Sequence, residues 1–150
     1  MRDDYGNVKV YMTPPNPMPT DQNMYISSTK TIIINRHKTQ KPRGAITIHI
    51  PQWSSSLDAV IKESLSRMPR DYLITTDDNH SNNIYAKDGK IEERIAKVFN
   101  GYTVNAIRHS GATYVYYHPE LYPPSRVIDY AHIMGHSLEM HIRYVRGGNP

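Results

Sequence analysis

The chain has 150 residues, 38 % of them hydrophobic, and a formal net charge of +4 with a pI near 9.2. This length suits one domain with a real core, and the positive surplus suits a polyanionic partner. Cysteine is absent, which excludes disulfides and thiolate chemistry; no stretch approaches the roughly 20 apolar residues of a membrane span, and no signal peptide is evident, so an intracellular rather than secreted protein is expected.

Val8, Val10 and Tyr11 alternate and predict a short extended piece. Pro14, Pro15, Pro17 and Pro19 then forbid helix and force a surface loop. Met24 to Ser27 and the β-branched run Thr31 to Ile34 read as strands. Ala45 to Ile50 alternates, with Ile46, Ile48 and Ile50 on one face, and Pro51 ends it. Between these strands a Pro- and Gly-containing turn carries Arg36, Lys38, Lys41 and Arg43. Such a cationic hairpin tip is either a soluble turn or a set of phosphate contacts to DNA.

Ser54 to Ser56 cap an amphipathic helix with Leu57, Val60, Ile61, Leu65 and Met68 on one side, ended by Pro69. Arg70 to Thr75 is extended, and Asp77 to Gly89 is a polar loop whose acidic pair and His80 match no metal motif. Ile91, Ile95 and Val98 give a helical stripe closed by Asn100-Gly101. Thr103 caps a helix to about Tyr117, with Val104, Ile107, Ala112 and Val115 towards the core. Ser125 opens another helix, which Gly135 breaks; Ser137 caps a last short one that ends near Tyr144.

The chemistry gathers in that last stretch. Arg108-His109-Ser110 lies in the first turns of a helix, where an arginine beside a helix N-terminus makes an oxyanion site. Met134-Gly135-His136-Ser137 is a turn, and Tyr144 follows one short helix later. Read alone, Arg108 is an ordinary surface arginine. In this order, the segments resemble the catalytic box of the tyrosine recombinases (the phage-integrase family). Arg2-Asp3-Asp4-Tyr5 is similar to an Arg-x-Asp-Tyr sequence in the versions from large DNA viruses, although alone Arg2 would be a solvated terminal charge. Lys38-Thr39 resembles the family's hairpin lysine.

The resemblance implies an α+β fold: a mostly helical catalytic domain with a small antiparallel sheet carrying the lysine hairpin. Residues 1–150 would be one catalytic domain that starts part-way in, without the separate DNA-clamping domain. Tyr144 would be the nucleophile. Arg2 and Arg108 would clamp the phosphate, His136 would donate to it, and Lys38 would be the general acid. Arg36, Lys41 and Arg43 would contact DNA. The implied partner is double-stranded DNA, with homo-oligomers formed on it and no membrane; no cofactor and no metal are required. The setting would be a virus or mobile element, acting in a host nucleus or cytoplasm.

Three departures bear on activity. Asn105 stands where the family usually has His; Asn can donate a hydrogen bond but cannot exchange a proton near neutral pH. Tyr144 follows His136 by eight residues rather than the commoner nine, a spacing similar to that of crypton-like members. The tail after Tyr144 is short for a helix passed to a neighbouring subunit. The reaction expected is strand cleavage and rejoining through a 3′-phosphotyrosyl link. The alternatives are type IB topoisomerase-like relaxation, a non-enzymatic DNA-binding remnant with a decayed site, and a metal-dependent hydrolase using His132, His136 and His141. Against the last, Gly135 interrupts the helix and no Glu follows His132.

Overall fold

The computed structural model describes residues 6–37, 44–75 and 90–145. The chain divides into two compact units, residues 2–91 and residues 92–150. Among the described residues the fold is α+β, with a four-stranded sheet in the first unit and helices in both.

The sheet of the first unit has strands β1 (Lys9–Tyr11), β2 (Met24–Ile26), β3 (Thr31–Ile34) and β4 (Ile46–His49), in the order β1-β2-β3-β4. β2, β3 and β4 pair antiparallel, placing Tyr25 opposite Ile32 and Ile32 opposite Ile48. β1 pairs parallel with β2, Val10 opposite Tyr25. The sheet is therefore mixed, which corrects the expected antiparallel one. The reason is the proline-rich segment 12–23. A tight turn would have folded β2 back against β1, whereas a connection of about a dozen residues returns the chain to run in the same direction. The outer side of β1 is met by the segment after the first helix, where Val10 N–H donates to Asp71 O at 2.8 Å and Leu73 N–H to Val8 O at 2.8 Å.

Burial follows the pleat in β4, where Ile46 and Ile48 are buried and Thr47 and His49 exposed. Val8, Met24, Tyr25, Ile34, Ile50 and Ile61 are the heart of the core. A 3₁₀ turn, Ile50–Gln52, with its proline near the start, leads into helix α1, Ser55–Arg67. Ser54 Oγ accepts from Leu57 N–H at 3.2 Å, as an N-cap should. The predicted apolar stripe of α1 is corrected. Ile61 is buried, but Leu57 and Val60 are exposed, and Asp58 takes an inward place one turn before Ile61. Lys30 and Lys62 each lie 3.2 Å from the Asp58 carboxylate, so the buried charge is paired. Burial raises its pKa, but the two ammonium groups outweigh it and hold the carboxyl below its usual range. Arg70 closes the C-terminus of α1, donating to the carbonyl of Met68 (2.9 Å) and to that of Ser64 (3.1 Å), which also accepts from Met68 N–H at 3.0 Å.

Helix α2, Lys90–Val98, begins in the last residues of the first unit. Ile91 is buried, but Val98 is 75 % exposed, so the predicted stripe stops short. The second unit continues with α3 (Val104–Tyr117), α4 (Pro124–Ile133) and α5 (Leu138–Arg143). Thr103 Oγ1 caps α3 by accepting from Ala106 N–H at 3.1 Å, and Ser137 Oγ caps α5 by accepting from Met140 N–H at 3.2 Å. Val104, Ala112, Val115 and Ala131 are its buried apolar positions. No helix among the described residues is long and apolar enough to cross a membrane.

Candidate active site

The site in the second unit is built on how α4 ends. Gly135 has φ +71°, in the left-handed region that favours glycine. Its N–H donates to His132 O at 2.8 Å, and His136 N–H donates to Ala131 O at 3.1 Å. This nested pair is a Schellman motif, which reverses the chain sharply after a helix. It leaves His136 buried, immediately before the cap of α5.

Arg108, on the second turn of α3, reaches this turn. Its Nη2 donates to Met134 O at 3.2 Å and stands 3.5 Å from His136 Nδ1. The guanidinium thus closes an end carbonyl of α4 while facing the imidazole. Tyr144, at the C-cap of α5, packs between these groups. Its ring is stacked on His136, with centroids 5.1 Å apart and planes at 14°. The Arg108 Cζ lies 5.2 Å from the Tyr144 ring centroid, within cation–π range. Three residues separated by up to 36 positions along the chain are therefore brought together.

Two further histidines belong to it. His109 Nδ1 is 2.7 Å from the Tyr144 carbonyl oxygen. A carbonyl only accepts, so His109 carries its proton on Nδ1 and anchors the end of α5. The His109 and Tyr144 rings are also in contact, with centroids 4.5 Å apart. His141 is fully buried, its Nδ1 3.1 Å from His136 Nε2. Burial lowers its pKa from the ordinary histidine value and favours the neutral ring. His141 also meets the Tyr130 ring edge-on at 5.8 Å. Burial, with Tyr122 nearby, pushes the Tyr130 phenol up. On α3, Gly111 leaves room for Tyr130, because a Cβ there would lie 2.8 Å from the Tyr130 hydroxyl. In sequence, His109 has no role beyond its place in the motif, and His141 stands out only as a candidate metal ligand. The one local sign of a second function was a histidine at an inward helix position, five residues beyond His136.

Asn105 is exposed one turn before Arg108 on α3. Arg2, Lys38, Lys41 and Arg43 lie outside the described residues. Arg36 is described, exposed at the root of the β3–β4 hairpin in the first unit. Its backbone is held by Asn23, whose Oδ1 accepts from Arg36 N–H at 2.7 Å and whose Nδ2 donates to Arg36 O at 3.1 Å. Asn35 Nδ2 donates to the carbonyls of Pro19 and Gln22, both at 2.9 Å. His37 Nε2 donates to Gly44 O at 2.7 Å and ties the two sides of the hairpin. Asn23, Asn35 and His37 are all buried. These buried polar groups fix the root of the predicted lysine hairpin, and no local pattern marked them. Beside them, Asn7, Asp21, Gln22, Asn23, Arg36 and Tyr72 line a polar cleft.

Among the described residues no three His, Cys, Asp or Glu side chains are grouped to share a metal ion. His132 is exposed on α4, while His136 and His141 face each other at hydrogen-bond distance. The trio His132, His136 and His141 is therefore not brought together as a ligand set. Compared with family models, curated proteins and solved structures, the chain shows no match.

Proposed function

We propose that the protein cuts and rejoins DNA through a 3′-phosphotyrosyl link at Tyr144, as a tyrosine recombinase does. One observation carries the reading: Arg108, His136 and Tyr144 converge with the guanidinium touching both rings. A cation, a ring N–H and a phenol together are what in-line attack on a phosphodiester needs. In the reaction, the phenolic oxygen bonds to phosphorus and its proton passes to water. The bond from phosphorus to the 5′ oxygen breaks, and that oxygen takes a proton from Lys38. Arg108 and Arg2 balance the charge on the non-bridging oxygens, His136 donates to one of them, and Asn105 adds a weaker donor. Arg36, Lys41 and Arg43 contact the DNA backbone. The link conserves the phosphoester bond energy, so a 5′-hydroxyl of the same or a partner strand reseals it. The products on two duplexes distinguish recombination from relaxation.

Asn105 favours a second reading, a remnant that binds DNA without cutting it, because an amide cannot move a proton. The deciding experiment uses a duplex with a 5′-bridging phosphorothiolate, in chelator, followed by a denaturing gel. That leaving group needs no general acid, so the covalent adduct accumulates. A band that disappears in Tyr144→Phe supports strand cleavage. Binding without a band, on a library of duplex sequences, supports the remnant.

A further inference from the structure

We propose that His141 is the positioning residue of this site: it accepts a hydrogen bond from His136 Nε2–H and leaves Nδ1 as the nitrogen that donates to a phosphodiester oxygen. The inference rests on the reading that Arg108 and His136 receive a phosphate.

The two ring nitrogens are 3.1 Å apart, so one of them carries the shared proton. Which one is decided at the other side of His136. Arg108 can only donate, and its Nη2 faces His136 Nδ1 at 3.5 Å. In this arrangement Nδ1 therefore presents its lone pair to the guanidinium. The His136 proton then sits on Nε2, which donates a hydrogen bond to His141 Nδ1. His141, with Nδ1 accepting, carries its own proton on Nε2, which is buried with no hydrogen-bond partner among the described residues.

An anion on Arg108 changes the demand at Nδ1 only. A phosphate oxygen accepts, so Nδ1 has to hold a proton. His136 takes that proton from solvent and becomes an imidazolium with two donors, one to the phosphate and one to His141. Nothing has to move on the buried side. His141 serves as the neutral acceptor because burial disfavours its charged form. The arrangement is that of a base held by a buried partner, with a neutral imidazole in place of a carboxylate. The titratable and charged groups around the pair include Arg108 and His109 from α3, Tyr130 from α4 and Tyr144 at the end of α5. Arg108 opposes protonation of His136 until an anion offsets its charge, so phosphate binding and proton uptake are coupled.

The test is long-range proton–nitrogen NMR on the full chain with 15N-labelled histidine, titrated with inorganic phosphate at several pH values. In the wild type, phosphate should protonate both His136 nitrogens and raise its titration midpoint by about one pH unit. His141→Asn offers an oxygen near the place of Nδ1 and should retain most of that shift. His141→Leu keeps the volume without the acceptor and should lose it. The inference is overturned if His136 does not respond to phosphate, if Nε2 is the unprotonated nitrogen in the phosphate-bound wild type, or if Leu and Asn behave alike. Should His141→Leu not fold, the wild type and His141→Asn still decide. The phosphorothiolate assay separates this from the parent reading. No adduct with the NMR shift intact sinks strand cleavage and leaves an anion site. An adduct whose rate has the same pH profile in His141→Leu sinks the role of His141 alone.

Discussion

Replacing Gly135 by Ala tests whether the turn after α4 positions the site. At φ +71° an added Cβ crowds the following carbonyl, which costs about 1–2 kcal/mol. If the backbone holds, that strain lowers the melting temperature by roughly 4–8 °C per kcal/mol for a unit of this size. If it relaxes, the bonds from Gly135 N–H to His132 O and from His136 N–H to Ala131 O are lost, and His136 leaves its place beside Arg108. A displacement of about 1 Å in a phosphate-positioning group reduces cleavage on the order of 100-fold. Gly101 supplies the control. It has φ +83°, lies in the same unit, and has open space where a Cβ would be. Gly101→Ala should carry similar strain and leave adduct formation unchanged. The assays are thermal unfolding and phosphorothiolate trapping, well below both melting temperatures. Equal loss of trapping in the two variants would refute the reasoning, since a general stability effect would then explain both.

Other substitutions probe single contacts. Arg108→Lys removes the planar fork that meets Met134 O and the Tyr144 ring; trapping should fall by about 100-fold or more, while DNA affinity, measured by fluorescence anisotropy, changes little. His37→Phe keeps the ring and deletes the donor to Gly44 O, so urea unfolding should report a loss of about 1 kcal/mol. The Asp58 carboxyl has a lowered pKa in the folded chain. Its stabilisation is thus complete above the unfolded carboxylate range and disappears as pH falls through the folded value. Asp58→Asn should flatten the acid limb of the stability–pH curve, and an unchanged limb would contradict the ion pairs with Lys30 and Lys62.

The sequence made the local decisions legible. Ser54, Thr103 and Ser137 each cap the helix they were expected to open, and Gly135 ends α4. These features need only a few neighbouring residues, so a one-dimensional reading can find them. The alternation of β4 was legible for the same reason. The parallel pairing of β1 was not, because it depends on the path of a long irregular loop. Helix faces were read too broadly: a polar Asp58 lies inside because Lys30 comes from another element to neutralise it. In the site, Arg108, His136 and Tyr144 carried a pattern through their order and spacing. His109 and His141 did not, since one acts through a backbone carbonyl 35 positions away and the other through a ring five positions back. Nor did Asn23, Asn35 and His37, whose partners are set by tertiary contact alone.

The shortness of α5 has a consequence for how Tyr144 is held. Six residues form too few turns to persist alone in water. The order of this helix is borrowed: Ser137 holds its start, His109 grips the carbonyl at its end, and buried His141 pins its middle. A segment tied at so few points opens at much lower free energy than the elements beneath it. Releasing the His109 bond alone lengthens the tether on the phenol while α3 and α4 stay intact. The imidazole–carbonyl contact is thus one of the ties that limit the reach of Tyr144, beside its ring contacts with His136 and Arg108, and amide exchange in residues 138–144 would report how often that tether slackens.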